Sequence, residues 1–388
     1  MMGRVTVSIL KGPRGRRLAL ELLGLLARDS FEAGESRGWS LASSIMNAAH
    51  HLDPSPGSRY LVRGAEAGGE ADAVAEPVRS PEGVAALIRE FTAAPFVMRS
   101  LHETVLRDAF VASVDSARYW QEPDGTDALA ATDEVRDALT PISDAIASGD
   151  STSSDLASSR LASWWSEPVD LAGQFEVAWE GGASRFAQVS TTLTQTVAAW
   201  SEKIRSIERR AQSERSSDPT ARFSSDWWST PGFGFPVTTR VPPAWGSPVG
   251  LWLVEDGLGW SEADVRRVTV TRSPRVFEIA AASDWAELCT RFPIEVTAQK
   301  RHDWYRTTGR DGAWVMPDYT AVAEHYDAVH LTAAAYLTAA GDAIPVGDGA
   351  ASVIAGWAPD ETYWLTDAAT APRDPAGWTR SPGEWLPS

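Results

Sequence analysis

The chain writes one short element three times: ARYWQEP from 117, ASWWSEP from 162 and SDWWSTP from 225. In each copy an aromatic pair is followed by two polar residues and a proline. Proline forbids helix continuation and pushes the residue before it toward extended backbone. Each copy is therefore predicted to be a helix exit or a strand turn anchored by a buried ring. The copies are unevenly spaced and their flanks do not repeat, which argues against a solenoid. The chain holds 18 tryptophans in 388 residues. Each is a large apolar body whose N–H wants a partner when buried. Two readings of the pairs stand. They are core anchors, or they converge on an aromatic-lined groove suited to a sugar, a nucleobase or a nicotinamide ring. On the second reading Trp164, Trp165, Trp227 and Trp228 bind ligand.

The size and the 43% hydrophobic content predict a folded soluble protein of two domains or three. The net charge of −17 disfavours a nucleic acid or anionic membrane partner. Lys11, Lys203 and Lys300 are the only lysines beside a large excess of arginine. That skew reads as a high-GC coding bias of actinobacterial type, not as a functional signal. Cys289, alone in the chain, forms no internal disulfide and fits a reducing, cytoplasmic setting; it is expected as a small buried residue on a helix. No apolar run reaches the roughly 20 residues that cross a bilayer. The run GRRLALELLGLLA (15–27) contains Glu21 and reads as an amphipathic helix, not a signal peptide.

The periodicity changes along the chain. Residues 1–215 are expected to form a mainly helical domain. Leu18, Leu22, Leu25 and Leu26 recur at helical spacing, as do Val84, Leu87, Ile88 and Phe91 after the start signal Ser80–Pro81. Further helices are expected from Phe96 to Ala117 and from Ser184 to Glu214. A Gly/Ala/Glu-rich loop is expected at 64–77 and a polar break at SGDSTSSD (148–155). Residues 216–248 form a Pro/Gly/aromatic crossover. Residues 249–388 form an α+β domain with a small mixed sheet flanked by helices. Its expected strands are VGLWLVED (249–256), RRVTVTR (266–272), RVFEIAA (275–281), DAVHLTA (327–333) and ASVIAGW (351–357). Its expected helices are SDWAELCTRF (283–292) and PDYTAVAEHY (317–326). The last twenty residues read as an irregular Trp-rich tail. The fold class is α+β.

Three clusters carry candidate chemistry. QKRHDWYRTTGRDGAW (299–314) gathers His302, Asp303, Trp304 and Tyr305 with several cations, and Gly309 and Gly312 place it on a loop. In HYDAVHLTAAAY (325–336), His330 and Thr332 fall on one face of a strand, with Tyr336 beyond. In GWAPDETYWLTD (356–367), Asp360 and Glu361 follow a proline turn and precede a strand, a position from which a carboxylate can act as general base. Each cluster also has a structural reading: a solvated loop, a satisfied core histidine, an ordinary turn. His50–His51 near Asp53 make a poor metal site, and no metal is expected. There is no phosphate loop, no dinucleotide glycine fingerprint and no nucleophile elbow.

The segments GPRGRRL (12–18), ARYWQEP, RHDWYRTTGRDGAWVMPD (301–318), YDAVHLTAAAYL (326–337) and AGWAPDETYWL (355–365) resemble uncharacterised proteins of high-GC actinobacteria, a resemblance that implies no activity. The C-terminal half also resembles the α+β layout of ADP-ribosyltransferases. That resemblance implies NAD as cofactor and roles for Arg240 or His302, then Thr332 and Tyr336, then Asp360 or Glu361. Trp304, Tyr305 or Tyr336 would stack on the nicotinamide. The C-terminal half departs from that superfamily in carrying no Ser-Thr-Ser and no Glu-x-Glu. The expectation is thus a ligand-binding or NAD-using protein with its site in the C-terminal half. The competing expectations are an aromatic-groove carbohydrate or nucleotide binder and a protein-interaction or regulatory protein.

Overall fold

A computed structural model describes residues 8–55, 77–148, 164–188, 193–232 and 234–388. The loop expected at 64–77 and the break at 148–155 lie outside them but for their end residues, as do Ala162 and Ser163 of the second aromatic element. Among the described residues no helix is long and apolar enough to cross a membrane. The chain divides into two units, Met1–Ser113 with Glu122–Ala162, and Val114–Gln121 with Ser163–Ser388. The fold class is α+β, helical in the N-terminal half with sheets in the C-terminal half.

In the first unit the helix Pro13–Glu32 buries Leu18, Leu22 and Leu26 against the helix Ser36–Leu52. The helix Pro81–Thr92 starts as its sequence requires: the Ser80 hydroxyl accepts from Gly83 N and Pro81 occupies the first turn. The expected helix from Phe96 to Ala117 is two helices, Pro95–Arg99 and Glu103–Asp115. The break falls where the His102 ring accepts from Val105 N at 3.5 Å. The arginines of GPRGRRL are internal pins. Arg14 meets Asp127 at 2.5 Å, and Arg17 meets Asp124 at 2.9 Å and Glu21 at 2.7 Å. Asp124 also caps the helix Gly125–Ala131.

The second unit contains fourteen strands among its described residues: β1 (Phe175–Trp179), β2 (Val237–Thr238), β3 (Glu262–Arg267), β4 (Thr269–Val270), β5 (Val276–Ile279), β6 (Pro293–Glu295), β7 (Ala313–Pro317), β8 (Ala328–Leu331), β9 (Ile344–Gly347), β10 (Ala350–Ser352), β11 (Thr362–Trp364), β12 (Ala369–Thr370), β13 (Ala376–Ser381) and β14 (Glu384–Pro387). They form three four-stranded sheets, β1-β3-β13-β14, β6-β7-β10-β9 and β2-β11-β8-β5, and the ribbon β12-β4. In the last four-stranded sheet β5 runs parallel to β8, while β11 is antiparallel to β8 and β2. All four residues of β8 are buried, so both of its faces are covered.

Five further local expectations differ from the structure. Residues 249–256 are not a strand. Pro248 starts a 3₁₀ turn, Val249–Leu251, and Gly250 N donates to the Thr239 hydroxyl. RRVTVTR is split at Val268 into β3 and β4, with the Val268 N–H donating to Gln174 O in line with the β1–β3 register. Only the start of ASVIAGW pairs, as β10. The tail is a hairpin, β13–β14, in which Arg380 faces Trp385. The polar run 299–314 is a helix over most of its length, Thr297–Thr308, and its glycine signal belongs to the helix end, where Gly309 takes φ 72°. Low apolar content hid this helix, because most of its buried residues are polar.

Those polar residues explain the third aromatic element. Lys300 and Asp303 are fully buried and grip the segment Ser224–Trp228. The Asp303 carboxylate accepts from Ser224 Oγ at 2.9 Å, Ser225 N at 2.9 Å and Arg306 Nη2 at 2.5 Å. The Lys300 ammonium donates to the carbonyls of Asp226 and, at 2.9 Å, Trp228. The Trp304 indole donates to Trp227 O at 2.8 Å. Arg306 also reaches Trp120 O at 2.7 Å, and the Trp120 ring lies 4.8 Å from that of Trp227. The first and third elements therefore converge. In the second, Trp164 packs edge-on against Trp245, and Arg240 donates to the carbonyls of Glu167 and Pro168.

Asp303→Ala is expected to destabilise the protein by about 3–5 kcal/mol, the usual cost of leaving one partner of a buried ion pair alone. Urea unfolding checks this, and a loss under 1 kcal/mol contradicts it.

Candidate functional site

Gly356 takes φ 72°, and a Cβ there would stand 2.5 Å from Trp228 Cβ. Only glycine lets the Trp227–Trp228 pair lie this close to the turn before β11. Beyond that contact lies a partly open cavity of about 290 Å³, lined entirely by residues of the second unit. Trp179, Trp227, Trp228 and Trp260 line it, with Glu255, Asp256, Glu361, Arg185, Tyr363 and threonine hydroxyls as its polar groups. All four lining indoles are half-buried, whereas Trp285, Trp304, Trp314, Trp357 and Trp364 are sealed in the core. Trp179 and Trp260 stack at 5.1 Å with planes 22° apart, and Trp385 of the hairpin backs Trp179 at 5.6 Å.

Glu361 enters the cavity from the turn Ala358–Glu361. Its Oε2 accepts from Ala358 N at 3.1 Å, and Tyr363 hydrogen-bonds to it. Burial pushes its carboxyl up to about 7, against the pull of the nearby Arg185. Asp360 points elsewhere. It adopts φ 66°, a left-handed conformation uncommon outside glycine. Its two oxygens hold Arg240, one accepting from the backbone N at 2.8 Å and the other from Nε at 2.6 Å. Burial raises Asp360 to about 6 despite that pairing. The clamp fixes the turn from which Glu361 projects. Asp256 is also at positive φ and is paired with Arg118 at 3.0 Å.

The structure thus brings Trp227, Trp228 and Glu361 together and places the other sequence candidates away from the cavity lining. Asp303 and Trp304 hold the third aromatic element in place. The His302 ring is buried against Phe223 at 5.1 Å, and its pKa is lowered by burial and by Arg301 and Arg215. Tyr305 lies half-buried on the same helix, and its carbonyl accepts from Gly309 N. His330 Nδ1 pairs with Thr362 Oγ1 at 2.8 Å, and its Nε2 lies 3.3 Å from Glu278 Oε1. Burial, and secondarily Arg240, keep it well below the ordinary imidazole range, hence neutral. Thr332 caps the helix Ala333–Ala339, and the buried Tyr336 hydroxyl meets that of Tyr119 at 3.4 Å. Trp164 and Trp165 are core residues. Cys289 is buried on the helix Ala282–Arg291, its thiol pushed up to about 12 by burial.

Sequence reasoning missed Trp179, Trp260, Arg185 and Glu255. The available signal was modest: GLGW (257–260) reads as a lone glycine turn, and the Trp179 region shows no strand pattern as strong as those downstream. Among the described residues no group of three or more His, Cys, Asp or Glu is placed to hold a metal ion. Comparison with protein families, curated proteins and solved structures gave no match to this chain.

A pH dependence follows from Glu361. Its carboxyl rises from the ordinary 4.5 to about 7 on folding, so over that window the folded state holds a proton that the unfolded state has released. Stability therefore falls as pH rises through the window, by at most about 1.4 kcal/mol per unit. Asp360 and Glu278, raised to about 6 and about 7, act in the same direction. Glu361→Gln is expected to flatten the slope of urea midpoint against pH between 4.5 and 7, so that the drop from pH 4.5 to pH 7.5 is smaller than in the wild type. Parallel profiles for variant and wild type contradict the assignment.

Proposed function

We propose that the chain is a small-molecule-binding protein whose ligand occupies the aromatic cavity of the second unit. The observation that carries this reading is the composition of one lining: four half-buried indoles and a carboxyl poised near neutrality share one partly open cavity. Apolar faces with a few convergent polar groups and one displaced pKa are the usual makeup of a ligand site. Glu361 is the group that would exchange a proton with a bound molecule at neutral pH.

An NAD-using transferase is a second reading, supported by one feature. Glu361 stands at the mouth of a late strand, β11, and opens onto the cavity. In that reading the nicotinamide end enters among the indoles and Glu361 stabilises the ribose as nicotinamide leaves. The other groups that the resemblance implied, Arg240, Thr332 and Tyr336, are engaged in internal hydrogen bonds.

Thermal denaturation with millimolar NAD, ATP, monosaccharides or nucleosides tests the reading. A ligand of the native state raises the midpoint by mass action. The rise is expected for at least one compound and is expected to vanish in Trp228→Ala and in Glu361→Gln. A rise that survives both substitutions places the site elsewhere. A flat response to every compound contradicts small-molecule binding.

A further inference from the structure

The character of the cavity narrows what it can hold. Its volume, about 290 Å³, lies at the small end of ligand pockets, which run from roughly 300 to 1,000 Å³. That is room for one or two rings. Its lining holds three carboxylates, Glu255, Asp256 and Glu361, against one guanidinium, Arg185, and no lysine. A phosphate or diphosphate would face carboxylates with a single cation to receive it. An organic cation would find aromatic faces, but also Arg185 on the same wall as Glu361. Neither sign of charge has a matching wall.

The lining matches an uncharged ring bearing hydroxyls. Carboxylate oxygens accept from O–H groups. Arg185 supplies a donor. The stacked Trp179–Trp260 pair offers a broad flat face of the kind that takes the C–H side of a sugar or the π-face of a base. Trp227 and Trp228 stand at 75° to each other, so they form a corner and not a second flat shelf. A corner and a flat face within one lining suit a compact puckered ring.

We propose, resting on the cavity being a ligand site, that its ligand is a neutral, unphosphorylated, hydroxyl-bearing ring: a free sugar or the sugar of a nucleoside. The two sources share the ring and its hydroxyls and differ in the attached base. Trp260 and Trp228 provide the apolar contacts, and the carboxylates and Arg185 read the hydroxyls.

Isothermal titration of the full chain tests this with three probe sets. The first is glucose, galactose, mannose, xylose and ribose. The second is adenosine and uridine. The third is glucose 6-phosphate, AMP, NAD and choline. Saturable binding is expected within the first or second set, which distinguishes sugar from nucleoside. The phosphorylated counterpart of the best ligand is expected to bind at least tenfold more weakly. Trp260→Ala is expected to weaken binding at least tenfold while leaving the urea midpoint near that of the wild type. Tightest binding within the third set, lost in Trp228→Ala, overturns the ligand class while the cavity remains the site. No binding by any probe overturns both. Binding unchanged in both tryptophan variants also overturns the proposal, because the ligand then sits outside this cavity.

Discussion

A buried carboxylate, Asp303, organises the candidate site without touching it. It accepts hydrogen bonds from Ser224 and Ser225 and pairs with Arg306, which in turn holds Trp120 O. Burying that charge is costly unless several donors meet it, and here they do. Lys300 and Trp304 on the same helix grip the next residues, Asp226 to Trp228, by their carbonyls. An irregular Pro- and aromatic-rich segment is thereby held as firmly as a strand would be, without a ladder. Its two indoles line the cavity.

A second clamp works on the opposite wall. The left-handed Asp360 is tolerated because Arg240 holds both of its oxygens. Backbone strain at one residue is thus offset by a buried ion pair, and the neighbouring Glu361 is delivered to the cavity. The most polar motifs of the sequence supply the scaffold of the site, and less conspicuous residues supply its lining.

That division sets what was legible in the sequence. The leucine faces of the early helices, the helix start at Ser80 and the strands β5 and β8 follow directly from periodicity and capping. The pairing of acids with a turn before β11 was also visible, and one of them, Glu361, reaches the cavity. The helix Thr297–Thr308 was not visible, since its buried residues include Gln299, Lys300, His302 and Asp303 beside Ala298 and Trp304, and so form no apolar stripe. The hairpin β13–β14 was masked by its Pro and Gly content. The contribution of Trp179 and Trp260 depends on β1 and β3 pairing across more than eighty residues of chain, and no local pattern reports such a contact. Likewise, the three aromatic elements look equivalent as sequence, yet only tertiary contacts bring the first onto the third and send Trp164 of the second to Trp245.

Amide hydrogen exchange across Ser224–Trp228 tests the central claim most directly. The account predicts that the Ser225 N–H, bonded to Asp303, exchanges as slowly as the backbone of the helix Thr297–Thr308, and that Asp303→Asn accelerates Ser225 while sparing the helix. Free exchange of Ser225 in the wild type, with the helix protected, would show that the segment is not clamped and that the aromatic wall is not preformed.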